Sequence, residues 1–313
     1  MKINNVMTYV LFVLVVIITC ITAMKNPFFY TNISSTDVSA KNNELLMEIK
    51  EKAKEYHVQP MDAYIDRVYK KTPGRNGRKV NIEKSYQNMK KSQKFTESLL
   101  VFDEISPSVS LKDLPASPIY RGHPEKEMVA LLINVSWGTE YIPRILEVLK
   151  EQNVKATFFI EGKWAKENKN IVKMIHEQNH LIGNHAYNHP DMARISVTEM
   201  NEQIENTNEI IEAIIDYRPK WFAPPSGSFN DQVVKTAHEL EMETILWTVD
   251  TIDWKNPSVS VMINRVMKNI HPGATVLMHP TEPVAQGLDL LIDEIKQKEY
   301  SLGTIEELLS EKR

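Results

Sequence analysis

M-V-A-L-L-I-N-V, residues Met128–Val135, is apolar at every position but one and carries no charge. A strand with one wet face alternates apolar and polar residues. An unbroken apolar run instead signals a strand covered on both faces, as in a parallel sheet flanked by helices. Runs of the same kind recur at Val154–Ile160, His180–Gly183, Trp221–Ala223, Ile245–Val249 and Thr275–Met278, and weakly at Tyr300–Gly303. Between them, helical spacing of apolar residues predicts helices over 142–152, 168–177, 197–215, 231–240, 259–270 and 289–298. Strands and helices in strict alternation predict an α/β domain built on a parallel sheet. Asn134, His185, Pro224, Asp250 and His279 fall at or just past the C-terminal ends of predicted strands. Polar groups delivered to one rim by so many strands fit an irregular (β/α) barrel over residues 127–313.

The chain has 313 residues, 25% of them charged, and a net charge of -4. That balance describes an ordinary soluble surface and gives no case for nucleic acid. Lys2 precedes an apolar run from Val6 to Met24, and Lys25 follows it. The run has about the length that spans a bilayer. Residues 1–25 are therefore expected to be a membrane anchor or a signal segment, although Thr22-Ala23-Met24 is a weak match to a cleavage site. Either way the rest of the chain is expected outside the cytoplasm. Cys20 is the only cysteine and lies within that segment. The exported part then has no disulfide, no thiol nucleophile and no cysteine–zinc site.

Residues 26–41 read as a polar tether. Residues 42–113 read as a small basic α/β module, with Lys41–Lys94 carrying about twice as many Lys and Arg as Asp and Glu. In it, Leu45, Leu46, Ile49 and Ala53 suggest an amphipathic helix. A second helix is expected from Asp62 to Lys70, ended by T-P-G-R-N-G-R at Thr72–Arg78. Residues 114–126, beginning L-P-A-S-P, read as a linker.

Three short stretches at strand ends carry the candidate chemistry: H-A-Y-N-H (His185 to His189), D-T-I-D-W (Asp250 to Trp254) and L-M-H (Leu277 to His279). Two histidines four apart can share a cation, yet that spacing alone is more often a structural pair. Taken singly, Asp253 is a buried strand-end cap and His279 a satisfied core histidine. His176, His180, His238 and His271 are read as surface residues.

With V-K-A-T-F-F (Val154–Phe159) and I-G-N-H (Ile182–His185), these stretches in this order resemble the polysaccharide deacetylases of carbohydrate esterase family 4, the NodB-homology domain. The resemblance covers about Glu127 to the C-terminus. It implies an irregular (β/α) barrel that removes acetyl groups from polymers such as peptidoglycan or chitin, using zinc or another divalent metal. I-N-V-S-W-G (Ile133–Gly138) is similar to a subgroup associated with spore formation that has Asp in place of Asn134. By the same resemblance His279 is the general acid and Asp253 orients it. Trp254, Leu277 and Pro224 shape the substrate groove, and His185 and His189 are metal ligands.

The departures decide the expected function. The family's paired aspartates, a general base and a metal ligand, fall on Asn134 and Val135, and its base-orienting arginine falls on Ala223. An amide has no useful basicity near neutral pH, so Asn134 cannot take a proton from water. Val135 offers no donor to a metal. An arginine without its carboxylate would be a buried unpaired charge, so the two losses go together. Ala186 also replaces the family's usual Ser or Thr. The expectation is an extracytoplasmic pseudoenzyme that binds cell-wall glycan (peptidoglycan or a related N-acetylglucosamine polymer) or a partner. Zinc or another divalent metal would be weakly held or absent, and residues 1–25 would meet the membrane. One alternative is a slow metal-dependent N-deacetylase in which Glu140 or Asp191 activates water. Another is a scaffold whose basic module does the work.

Overall fold

The computed structural model describes residues 7, 9–17 and 43–313. Residues 6, 8 and 18–24 of the apolar run from Val6 to Met24 lie outside the described residues, as does the tether expected at 26–41. Among the described residues no helix is long and apolar enough to cross a membrane.

The described residues divide into two compact units, those up to 58 with 78–104, and residues 59–77 with 105–313. This differs from the boundaries read in the sequence, because residues 59–77 and 105–126 belong with the C-terminal unit. In that unit β1 (Tyr64–Asp66) and β2 (Lys70–Thr72) form an antiparallel hairpin where a helix was expected over 62–70. Asp66 Oδ1 accepts hydrogen bonds from the backbone N–H of Val68 and Tyr69, both at 2.7 Å. This aspartate turn competes with a helix, and the β-branched and aromatic residues around it favour strands. The other unit holds a helix over 43–52, β3 (Gly77–Val80), the helix Ile82–Met89 and β4 (Phe102–Ile105), which pairs with β3. Leu45, Ile49, Val80 and Met89 make its core.

The C-terminal unit is an α/β fold around one parallel sheet. Its strands are β5 (Met128–Val135), β6 (Thr157–Ile160), β7 (Leu181–Asn184), β8 (Trp221–Phe222), β9 (Glu243–Thr244), β10 (Val249–Asp250), β11 (Thr275–Met278) and β12 (Ser301–Gly303). Their order is β10-β11-β5-β6-β7-β8-β9, with β12 also on β5. The sheet curls into a half-barrel, and its edge strands β9 and β10 do not pair. The run expected as one strand over 245–249 falls between them, with only Val249 in a strand and Ile245 in an isolated bridge. Here the segment expected as a linker intervenes: Ile119 N–H donates to Thr244 O at 2.9 Å, and Leu246 N–H donates to Ile119 O at 2.8 Å. Ile119 is fully buried, so this segment is part of the core. Lys71 is buried beside it, with its ammonium 2.6 Å from Glu243 Oε1.

The pleat of β5 sorts its side chains into two layers. Val129, Leu131, Ile133 and Val135 lie in the cluster packed under the helices, with Phe158, Ile160, Val276 and Met278 from the neighbouring strands. Ala130 and Leu132 lie in the inner cluster with Phe159, Ile119, Ile305 and Leu308. Asn134 continues the inner row at the C-terminal rim. Val135 is fully buried on the other face, away from it. Five of the expected helices lie within a residue of their expected bounds, the one expected over 289–298 begins at Glu282, and Gly162–Glu167 and Ile305–Leu309 are further helices. Val197–Ile215 starts on a Ser196–Glu199 capping box.

His180, expected at the surface, is 4% exposed and lies edge-on to Phe158 with ring centroids 5.3 Å apart. Its Nδ1 accepts from Ala156 N–H at 3.2 Å. His123 is equally buried, and its Nδ1 accepts from Glu125 N–H at 3.1 Å. Burial lowers both pKa values from 6.5 to about 4.

Two outcomes follow from this packing. Unfolded, both histidines take up a proton near their ordinary pKa of 6.5, whereas folded they do so only near 4. Their contribution to stability is thus complete above pH 6.5 and is lost as the pH falls from there to about 4. Urea midpoints measured from pH 8 to pH 4 should fall across that window, and less steeply in His180→Phe. Val135→Asp should place a carboxylate among apolar side chains and lower stability by about 3–5 kcal/mol. A denaturation midpoint equal to that of the unsubstituted chain would show that position 135 can turn towards the rim.

Candidate functional site

The loops after β5, β7, β8, β10 and β11 surround a cleft of about 450 Å³ at the C-terminal rim. Asn134, His185, His189, Trp254, Leu277 and His279 from the sequence-derived set line it, as do Trp137, Trp247 and Ser226. The loop after β5 is fixed by Gly138, whose φ is 73°. A Cβ there would lie 1.9 Å from Pro280 O, so only glycine lets this loop settle against the loop after β11. The next residue back, Trp137, is then laid over His279 with ring planes 10° apart and centroids at 6.0 Å.

One wall is built around Asp253, whose side chain is fully buried. The chain turns sharply after β10, with Ile252 and Asn256 at positive φ, and presents the carboxylate to four donors. Oδ1 accepts from His279 Nδ1 at 2.9 Å and from Trp254 N–H at 3.0 Å. Oδ2 accepts from His279 N–H at 2.7 Å and from Thr281 Oγ1 at 3.0 Å. With Nδ1–H donated to Asp253, His279 keeps Nε2 free to exchange a proton with a bound molecule. Leu277 stands beside it and is 4% exposed.

The opposite wall carries the histidine pair. Ala186 and His189 both take positive φ, which folds the loop after β7 back on itself. Without a hydroxyl at Ala186, Asn184 Oδ1 braces the loop by accepting from Ala186 N–H at 2.8 Å. Gln203 Oε1 accepts from the N–H of Tyr187 and Asn188, at 2.9 and 3.1 Å. The rings of His185 and His189 lie 5.2 Å apart at 72°. Burial lowers the His185 pKa to about 3, so it is neutral. Its Nδ1 is 2.7 Å from Ala223 O, which fixes the proton on Nδ1 and leaves the Nε2 lone pair open.

Among the described residues no group of three or more His, Cys, Asp or Glu side chains is disposed to hold a metal ion. A catalytic zinc site takes three protein ligands. Two neutral imidazoles do not meet that requirement; the cleft also holds the Asn134 amide and the Asp250 carboxylate, whose Oδ1 accepts from Ile252 N–H at 2.8 Å.

Asn134 is 4% exposed, and its Oδ1 is buried with no hydrogen-bond partner. Ala223 is 3% exposed and packs in the inner cluster. Pro224 is buried and opens the tight turn Pro225–Gly227, from which Ser226 reaches the cleft. Val135 is not on the wall. Glu140 and Asp191 are both exposed, and Asp191 engages Ser228 and Arg194.

Glu161 escaped the sequence reading. Its N–H donates to Val135 O at 2.9 Å, and His185 N–H donates to Ile160 O at 3.0 Å. The ladder thus runs one residue past β6 and sets Glu161 between Ser136 and His185. It is 8% exposed, and burial pushes its carboxyl above the usual range, partly offset by the Ser136 hydroxyl. Position alone could have flagged it, since it directly follows an apolar strand.

Comparisons with known proteins agree with this geometry. The polysaccharide deacetylase family profile matches residues 121–245. The uncharacterised protein YlxY of Bacillus subtilis is 51% identical over 276 residues, 88% of this chain and 86% of the relative. The peptidoglycan-N-acetylglucosamine deacetylase of Bacillus cereus is 38% identical over 184 residues, 57% of this chain and 67% of that enzyme. Among solved structures, the wild-type CE4 family pseudoenzyme from Bacillus anthracis is 55% identical, covers 86% of this chain and 95% of its own, and superposes with a TM-score of 0.81. A mutant of that pseudoenzyme with restored enzymatic activity superposes equally, at 54% identity and 86% and 98% coverage. On its rim geometry and on these likenesses, the chain belongs to the polysaccharide deacetylase family.

Proposed function

We propose that this protein is a pseudoenzyme of the cell wall, which binds peptidoglycan or a related N-acetylglucosamine polymer in the rim cleft without removing its acetyl groups. The observation that carries the reading is Asn134: an amide on the cleft wall whose buried Oδ1 has no hydrogen-bond partner, in a cleft with two histidines and, among the described residues, no group of three His, Cys, Asp or Glu side chains disposed to hold a metal. An amide cannot take the proton of an attacking water. Loss of a general base costs a factor of about 100 to 10,000 in rate. In this reading His279 and Asp253 are the retained acid and its orienting carboxylate, now serving as a fixed hydrogen-bonding group. Trp254 and Leu277 contact the glycan, and Pro224 supports the turn that carries Ser226. Zinc or another divalent metal at His185 and His189 is weakly held or absent.

Extracytoplasmic placement is part of the proposal. It is supported by the apolar run between Lys2 and Lys25 and by relatives named as peptidoglycan deacetylases. In this reading the N-terminal segment is the only part that meets the membrane.

A second reading, a slow N-deacetylase, has one observation in its favour. Glu161 is a buried carboxyl whose hydroxyl neighbour, Ser136, lines the cleft. It replaces Glu140 and Asp191 as the candidate for a substitute base.

Acetate release from peptidoglycan and from N-acetylglucosamine oligomers, with zinc or cobalt added, separates the readings. The unsubstituted chain should release none. Asn134→Asp should gain turnover, Asn134→Asp with Ala223→Arg should gain more, and His279→Ala in either background should abolish it. Turnover by the unsubstituted chain that disappears in Glu161→Gln would replace the pseudoenzyme reading with the second one.

A further inference from the structure

We propose that Trp137 is the principal sugar-stacking residue of the cleft, holding a pyranose ring of the bound glycan against its exposed indole surface. The proposal rests on the glycan-binding reading and gives a role to Trp137, to which the deacetylase resemblance assigned none. Three observations carry it.

Trp137 is 47% exposed although its loop is pinned, since Gly138 at φ 73° admits no side chain against Pro280. A large apolar ring held open to water by a fixed backbone is the usual mark of a contact surface. One indole face is occupied by His279 in a near-parallel stack, so the ring is held at a defined angle with its remaining surface lining the cleft.

The sheet order gives the second observation. β11 lies between β10 and β5, so Trp254 and Trp137 rise on either side of His279 and Leu277. Trp254 is 54% exposed. Trp247 lines the same space and packs on Gly227, where a Cβ would lie 2.9 Å from its ring.

The third is the mixed lining of the cleft. Three indoles and Leu277 give the cleft apolar surface, and Asn134, Ser136, His185, His189, Ser226, Asp250 and His279 line the same space with amide, hydroxyl, imidazole and carboxylate groups. A pyranose ring has this same division, with C–H groups on its faces and hydroxyl or acetamido groups around its edge. Stacked on Trp137, the ring turns that polar edge towards Asn134, whose broad χ2 torsion lets it present either end of its amide.

The test uses the full chain and an N-acetylglucosamine tetramer as the probe. The chain contains five tryptophans, and 5-fluorotryptophan labelling gives each its own fluorine resonance, with Trp137 assigned by Trp137→Phe. Titration should move the Trp137 resonance saturably. Trp137→Ala should weaken the dissociation constant at least tenfold, as loss of an aromatic anchor does, and Trp137→Phe should recover part of it. Binding that moves other tryptophans but leaves the Trp137 resonance in place, or an equal dissociation constant in Trp137→Ala, overturns the role of Trp137 and leaves glycan binding standing. The fluorine titration is read on the unsubstituted chain, with Trp137→Phe used for the assignment, so a poorly folded alanine variant does not spare the proposal. No movement of any resonance and no heat of binding overturns the glycan reading together with it.

Discussion

The alternation of side chains along β5 is the constraint on which the site depends. Its odd-numbered residues, from Val129 to Val135, are fully buried against the helical layer. A slip of one residue would drive every one of them into the interior and turn Asn134 outwards, so the register is strongly specified. Each large aliphatic side chain in that row contributes about 1.5–3 kcal/mol by its burial. The chemistry available at the rim is therefore set by packing several residues below it. Position 134 faces the cleft, and position 135 belongs to the core.

This changes what the missing second aspartate means. Read from the motif alone, Val135 looks like a metal ligand exchanged for an inert side chain. Read from the packing, it completes an apolar row with Leu131 and Ile133 and shares a cluster with Ile160. The polar wall it leaves is short of a ligand in any arrangement that keeps this register. His185 and His189 are held by loop geometry and by the Ala223 carbonyl, and neither is braced by a carboxylate.

Much of the half-barrel was legible because long buried segments advertise themselves. Met128–Val135, Thr275–Met278 and Val197–Ile215 have the bounds that apolar runs and helical spacing predict. The failures fall where tertiary contact overrides local pattern. The run 245–249 reads as one strand, but Ile119 arrives from far along the chain and takes the hydrogen bonds of Thr244 and Leu246. Residues 62–70 read as a helix until Asp66 captures two backbone N–H groups. His180 reads as a surface residue because nothing nearby in sequence announces Phe158 against its ring. In the site, the residue types at the rim were legible, whereas Trp137 and Glu161 became visible only when neighbouring strands were set side by side.

The two walls also differ in how easily they can change, which bears on why one looks intact and the other does not. Asp253 accepts four hydrogen bonds with no exposed surface. Replacing it would strand the N–H groups of Trp254 and His279, the Thr281 hydroxyl and the His279 ring. Each buried group left unpaired costs about 1–3 kcal/mol. Asp253 therefore has a structural reason to persist whether or not the cleft turns anything over, and His279 persists with it. Asn134 has no comparable ties, since its Oδ1 meets no donor at all. Exchange at that position and at Ala223 leaves no network broken. A retained acid beside a missing base is thus what the hydrogen-bond pattern allows once hydrolysis is no longer required. The persistence of His279 and Asp253 is not by itself a sign of catalysis.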